Sequence, residues 1–357
     1  MQASESQGSW TERCAIELLH RTGLSHAAAR WYGGCGAIYM LHSAAPDRHL
    51  HIDSDLRTTP RFLDRLLTHL RASRIDVVSL DTVAARLRQP HGRRFVAFTF
   101  DDGYADNFLH ALPVFESHNA PFAVYVASGM VTGDLDCWWL GLERLFLQHS
   151  TVEIEPMQRR WCVDTLRSRA RAYREACDWV SQDVCANAGA LASSFRRYGI
   201  DLRSMTREVG LTVDQLKMLA HHPLVTIGGH TVTHPSLGQL SEAHAYDEIA
   251  QNKRFLEELG GQPVDHFAYP FGRPDSCGPR EAALVRKAGF CTATTTHHGC
   301  LTEPLNRDLH LLPRVGINRP YESVALARLQ IDGLVAAVRQ VKAAATMSPA
   351  YRTSPRA

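Results

Sequence analysis

In the stretch VAFTFDDGYADN, residues 96–107, a run of apolar and β-branched residues stops at two adjacent carboxylates, Asp101 and Asp102, followed at once by Gly103. Asp-Gly is a common turn pair, which accounts for Asp102 and Gly103 but leaves Asp101 over. A second stretch, HPLVTIGGHTVTHPSL, ends another short apolar run at Gly228-Gly229 and then sets His230 and His234 four residues apart. Two imidazoles at that spacing meet on one face of a helical turn, a workable arrangement for two ligands of one metal ion. In a chain with nineteen histidines, such a pair taken alone is more often two surface or capping residues. Position changes the weighing. The aspartates and His230 both directly follow predicted strands, and in a parallel α/β sheet all strand C-termini emerge on one side, where active sites form. Two histidines and one carboxylate then make a three-ligand metal site with room for water. One aspartate would anchor the cation, while the other stays unligated beside metal-bound water and takes its proton. Bound Zn²⁺ lowers the pKa of water to about 7, so a neighbouring carboxylate is a competent base at neutral pH. Next to a cation, Asp101 is held ionised despite its charged neighbour.

The elements that must position these residues are legible as short β-like runs at 36–41, 76–80, 94–100, 121–127, 224–227, 266–269, 290–296 and 311–317. Helical patterns lie between many of them. In PRFLDRLLTHLRAS, Phe62, Leu63, Leu66, Leu67 and Leu70 line one face, and Pro60 takes a first-turn position. A helix is expected from Ser241 through Leu259, closed by Gly260-Gly261, and another from Pro279 to Ala288, stopped by Gly289. Alternating strand and helix argue for an α/β architecture with a largely parallel sheet. Residues 134–222 break the rhythm, showing helical periodicity and almost no strand signal. This segment reads as a helical insertion, with a capping-box pattern at Thr212–Gln215. Its aromatic residues Trp138, Trp139 and Phe146 suit core packing first and sugar rings second.

Composition narrows the function classes. The 357 residues are 45% hydrophobic and 21% charged, as in a globular protein, and 39 basic against 37 acidic residues give a net charge of +2. No pull toward nucleic acid follows from that balance. No apolar run approaches about 18 residues, so no membrane span is expected. The opening MQASESQGSW lacks the pattern of a secretory signal, and the nine cysteines are scattered with no CxxC pair. Reduced thiols in a cytoplasmic protein are the expectation. The domain reading is an N-terminal extension at 1–33, the α/β domain at 34–342 and a disordered tail at 343–357.

TFDDG at 99–103 followed by HTVTH at 230–234 resembles the polysaccharide deacetylase family, the NodB-homology domain, over roughly residues 34–319. The resemblance implies a distorted (β/α) barrel of about seven strands, here carrying the helical insertion. It implies removal of acetyl groups from N-acetylated sugars. Asp101 would be the general base, and Asp102, His230 and His234 the ligands of one divalent metal, zinc or else cobalt or nickel. FAYPFG at 267–272 is similar to the family's third motif, with Ala268 where an arginine usually stands, as in a YPxG-type branch. There the Phe271 N–H would hold the oxyanion; by itself YPFG is a Pro/Gly turn with aromatic packing. In LLPRVGIN, Arg314 either takes over the missing arginine's role of orienting Asp101 or snorkels at the barrel rim.

The family's late general-acid histidine has no convincing match. Candidates are His42, which ends AIYMLH, and His297 or His298 after CTATTT, and His42 is preferred for its strand-end position. Tyr104 and Tyr269, beside the first and third motifs, complete the set as expected substrate contacts. The reading that results is a cytoplasmic, metal-dependent de-N-acetylase acting on an N-acetylated sugar, oligosaccharide or glycoconjugate, with protein partners left open. Its rivals are a cyclic-amide hydrolase on the same fold and a carbohydrate-binding or assembly protein with weak turnover.

Overall fold

The computed structural model describes residues 33–46, 52, 56–88, 92–301, 308–318 and 322–333. Most of the N-terminal extension and the whole of the C-terminal tail lie outside them. The strands in chain order are β1 (Gly36–Leu41), β2 (Ser43–Ala44), β3 (Arg57–Thr58), β4 (Asp76–Val77), β5 (Phe95–Phe100), β6 (Phe122–Val126), β7 (Thr151–Ile154), β8 (Arg159–Cys162), β9 (Val225–Gly229), β10 (His266–Ala268), β11 (Thr292–His298) and β12 (Leu312–Gly316). Seven of them run β1-β12-β11-β10-β9-β6-β5, and β5 pairs back onto β1 from Gly36↔Phe95 to Leu41↔Phe100, which closes a parallel barrel. The short β4 joins the start of β5 at Phe95 and Val96, below the point where β6 takes over at Thr99 and Phe100. Among the described residues no helix is long and apolar enough to cross a membrane.

Strand parity decides what the barrel encloses, because successive side chains point to opposite faces. Val96, Phe98 and Phe100 of β5, Phe122, Val124 and Val126 of β6, and Phe267 of β10 belong to one core beneath the surrounding helices. Ile38, Ala97, Ala123, Tyr125, Ala268 and Leu312, of opposite parity, form a separate cluster that fills the lumen. FVAFTF and FAVYV are buried at every position, as expected of parallel strands covered on both faces. The helix Pro60–Ala72 packs on the outside through the five residues its periodicity marks, and the Thr59 hydroxyl accepts from the Phe62 N–H to cap it. Burying each of its leucines contributes roughly 1.5–3 kcal/mol.

Two expectations are corrected. The run at 76–80 is strand only to Val77. The Ser79 hydroxyl then accepts from the Thr82 N–H, and a helix runs Leu80–Arg88. The inserted segment is not purely helical, since β7 and β8 form an antiparallel hairpin. TVEI and RRWC are too short to signal strands, and packing holds them there: Val152, Ile154 and Trp161 enter a second core with Trp138, Trp139, Phe146 and Phe195. The capping box at Thr212–Gln215 forms as expected. The helix it starts, Val213–Ala220, sends Leu216 and Leu219 into the barrel core. That helix is the crossover from β6 to β9, and the second core belongs to the material before it.

Candidate active site

The inward parity of β5 runs through Ala97 and Thr99 to Asp101. The chain turns immediately afterwards, with Asp102 at φ 75° and Gly103 at φ 93°. A side chain at Gly103 would also meet Val126 Cγ1 at 3.1 Å. On β12, separated from β5 only by β1, Arg314 shares the inward parity of Leu312 and reaches Asp101 with both ends of its fork, Nη1 to Oδ1 at 2.6 Å and Nη2 to Oδ2 at 2.7 Å. The guanidinium also donates to the Thr295 carbonyl at 2.9 Å and the Thr99 hydroxyl at 3.2 Å. Arg314 is 1% exposed and Asp101 2%, so the rim alternative for Arg314 is excluded. Burial opposes the carboxylate's charge, but Arg314 outweighs it and holds Asp101 below the ordinary carboxylate range.

His230 follows β9, and its backbone N–H donates to Asn252 Oδ1 at 3.0 Å, while Asn252 Nδ2 donates to the Val126 carbonyl. Its Nδ1 lies 2.7 Å from the Ala268 carbonyl, which assigns the proton to Nδ1 and leaves Nε2 bare. That Nε2 is 3.3 Å from Asp102 Oδ1, and His234 Nε2 is 3.3 Å from the same oxygen. Asp102 Oδ1 is buried yet has no hydrogen-bond partner. Burial pushes the Asp102 pKa up, but contacts with the two histidines override it, and the carboxyl stays well below its usual range. For His234, burial outweighs Asp102 and depresses the pKa, which favours the neutral imidazole a metal requires.

The spacing of the two histidines works for a reason other than the expected one. Residues 230–234 are not a helical turn; Thr231 and His234 both take positive φ, 67° and 55°. The Thr231 hydroxyl accepts from the His234 N–H at 3.1 Å, and Glu248 accepts from the N–H groups of Val232 and Thr233. Among the described residues, seven other than glycine have positive φ, and Asp102, Thr231, His234 and Phe271 of these surround one site. Each such residue stores of order 1–3 kcal/mol of strain, held in place by the surrounding packing.

Further positions complete the account. His42 leaves β1 with Nε2 3.9 Å from Asp101 Oδ2 and a buried, unpartnered Nδ1. His297 is exposed, and His298 stands beside Arg314 in the β11–β12 register. Phe271 lies 5.1 Å, ring to ring, from His234, its carbonyl accepts from Thr296, and its N–H has no partner among the described residues. The expectation for Tyr269 is corrected. It shares the outward parity of Phe267, is 1% exposed, and its hydroxyl donates to the His310 carbonyl, so it is a core residue. Tyr104 is likewise buried, in the second core, where its hydroxyl accepts from Trp139 Nε1 at 2.9 Å. It ties the inserted segment to the site and exposes 5% of its surface. Sequence reasoning missed Asn252, although Ile249, Asn252 and Leu256 share one buried helical face where an amide is out of place.

The closed parallel barrel thus sets a guanidinium-locked aspartate beside an aspartate and two imidazoles that could hold a metal ion. Residues 190–290 match the polysaccharide deacetylase family model. A curated relative, the putative polysaccharide deacetylase YxkH of Bacillus subtilis (strain 168), is 25% identical over 116 residues, which are 32% of this chain and 39% of the relative. The aligned stretch thus spans well under half of that relative's length. The deacetylase PplD of Streptococcus pyogenes, solved in complex with acetate, superposes with a TM-score of 0.53 at 16% identity, covering 83% of this chain and 97% of that one. IcaB from Ammonifex degensii gives a TM-score of 0.54 at 18% identity, with coverage of 84% and 98%. At these identities the solved structures share the barrel fold.

Proposed function

We propose that the protein is a metal-dependent de-N-acetylase acting on an N-acetylated sugar, oligosaccharide or glycoconjugate. The observation that carries the reading is the pairing of two differently held carboxylates: Asp101 locked by Arg314, and Asp102 aimed between two imidazoles with a buried oxygen left without a partner. The three ligand atoms lie within 4.8 Å of one another. A nitrogen, nitrogen and carboxylate-oxygen set fits zinc and also accepts cobalt or nickel. Bound there, the cation would supply a Lewis acid for water and for the acetamide carbonyl.

The remaining chemistry falls to the chain. Asp101, kept ionised by Arg314, takes the proton of the attacking water. Each carboxylate oxygen retains a lone pair beyond the one facing the guanidinium. The free N–H of Phe271 is available to the developing oxyanion. His42, across from Asp101, protonates the departing amine. Burial of both aspartates keeps these charges out of bulk solvent and strengthens each contact.

The test is acetate release from N-acetylglucosamine oligomers by zinc-loaded wild type, Asp101→Asn and Asp102→Asn. Wild type should turn over. Asp101→Asn should lose turnover but keep its metal, because an amide cannot accept the proton, and Asp102→Asn should lose metal. Retained turnover in Asp101→Asn, or equal metal content in all three proteins, would overturn the assignment.

A further inference from the structure

The two imidazoles beside Asp102 are aimed by different forces. His230 is fixed in the usual way for a metal-binding histidine, with Nδ1 at 2.7 Å from a backbone carbonyl and a main-chain N–H bound to Asn252. His234 has no such anchor. Its Nδ1 is buried and has no hydrogen-bond partner, and its backbone sits in the left-handed region. What surrounds its ring is aromatic: Trp139 at 5.2 Å and 52°, Phe271 at 5.1 Å and 58°, and His230 at 5.0 Å and 63° between centroids and planes.

Two of these neighbours are themselves held rigidly. Trp139 donates from Nε1 to the Tyr104 hydroxyl and packs edge-on against Trp138, 5.5 Å away at 89°. Phe271 has its carbonyl bound by the Thr296 hydroxyl at 2.7 Å. Trp139 lies in the helix Trp138–Gln148 of the inserted segment, outside the barrel strands. That segment is tied to the aspartate turn by backbone bonds from Ala105 to Val209 and from Leu211 to Gly103.

We propose that Trp139 and Phe271 are positioning residues for His234, substituting ring contacts for the missing hydrogen bond, so that the inserted segment completes the metal-holding set. The inference rests on reading Asp102, His230 and His234 as that set. Without the aromatic walls the imidazole is free to rotate about its Cβ–Cγ bond, and Nε2 no longer converges on the point Asp102 faces. A ligand that must be ordered at the moment of binding binds more weakly. A wall contact also predicts that ring shape, rather than the indole N–H, is the requirement. Phenylalanine at 139 should therefore serve and leucine should not.

The test measures zinc affinity by competition with a chelating dye, and the visible spectrum of the cobalt-loaded protein, for wild type, Trp139→Leu, Trp139→Phe and Phe271→Leu. Affinity should fall about tenfold or more in the two leucine variants and stay within about threefold of wild type in Trp139→Phe. Loss of one imidazole should alter the cobalt bands of the leucine variants even at saturating metal. A purely structural role would leave the spectrum unchanged. Thermal melts of the metal-free proteins check folding, and if Trp139→Leu does not fold, Phe271→Leu decides. Wild-type affinity and spectrum in the folded leucine variants would overturn the clamp while leaving the metal reading intact. A wild type that takes up no metal would overturn both.

Discussion

Arg314 and Asp101, 213 residues apart in the chain, meet inside the barrel through two parallel hydrogen bonds of 2.6 and 2.7 Å. Geometry of this kind fixes the plane of the carboxylate as well as its charge, which a lysine cannot do. Removing one member of a buried pair typically costs about 3–5 kcal/mol, because the other charge is left unpaired. Arg314→Leu should therefore lower the unfolding free energy by several kcal/mol. Arg314→Lys should fold more stably than that but fall about a hundredfold or more in kcat, since a misoriented base loses much of a general-base contribution of about 10²–10⁴. Denaturant melts alongside kcat measure both, and a lysine variant with wild-type turnover would show that the fork does not orient Asp101.

His42 approaches Asp101 to 3.9 Å from the end of β1 and is assigned to the leaving group. An acid matters only where the departing group needs a proton. His42→Gln should slow hydrolysis of an N-acetylated sugar about 10²–10⁴-fold. Cleavage of a nitrophenyl acetate, whose leaving group departs unprotonated, should be little changed. Equal losses on both substrates would remove His42 from that role.

A cleft of about 660 Å³ opens beside His234, between the inserted segment and the helix Glu242–Gly260, with Trp138, Trp139 and Leu202 on one side and His244 and Asp247 on the other. Its volume falls in the range of small-ligand clefts, about 300–1,000 Å³. Short oligosaccharides should accordingly be turned over with higher kcat/KM than hexasaccharides, and Trp138→Ala should weaken that preference. The measurement is kcat/KM across N-acetylated mono-, di- and hexasaccharides. A wild type that favours the hexamer would show that the inserted segment is no size filter.

At the opposite end of the strands, His266 Nε2 contacts Asp81 at 3.0 Å while Nδ1 contacts the Thr292 hydroxyl at 2.8 Å. The hydrogen bond to His266 is the main cause that holds the Asp81 pKa below its ordinary value. A carboxyl with a depressed folded-state pKa stabilises the fold above its unfolded pKa. That contribution is lost as pH falls through the folded value. Asp81 is largely exposed, so the effect is small: Asp81→Asn should cost about 0.2–1 kcal/mol at neutral pH. The difference from wild type should vanish in acid below the carboxylate range. Melts at pH 7 and in acid check the sign, and a difference that grows on acidification would contradict it.

Local chemistry was legible in the chain itself. All seven barrel strands follow from short apolar runs bounded by turn residues, and the helix Pro60–Ala72 from its apolar spacing, because period and punctuation are properties of neighbouring residues. The tandem aspartates and paired histidines were found for the same reason. Parity along β10 could also have shown that Tyr269 shares an outward face with Phe267. Contacts between distant segments were not legible. The HTVTH spacing matches a helical turn, but Glu248 and the Thr231 hydroxyl take up its backbone N–H groups and hold a left-handed loop instead. The hairpin of β7 and β8 exists because a second core buries Trp161 and Ile154, and no local pattern encodes that core. Whether Arg314 sits at the rim or in the lumen, and whether Trp139 meets a sugar or His234, depended on closing β1 onto β5 and on stapling the inserted segment to the aspartate turn. Those choices belong to tertiary structure because a buried charge or ring takes its role from whatever partner the packing brings within a few ångströms.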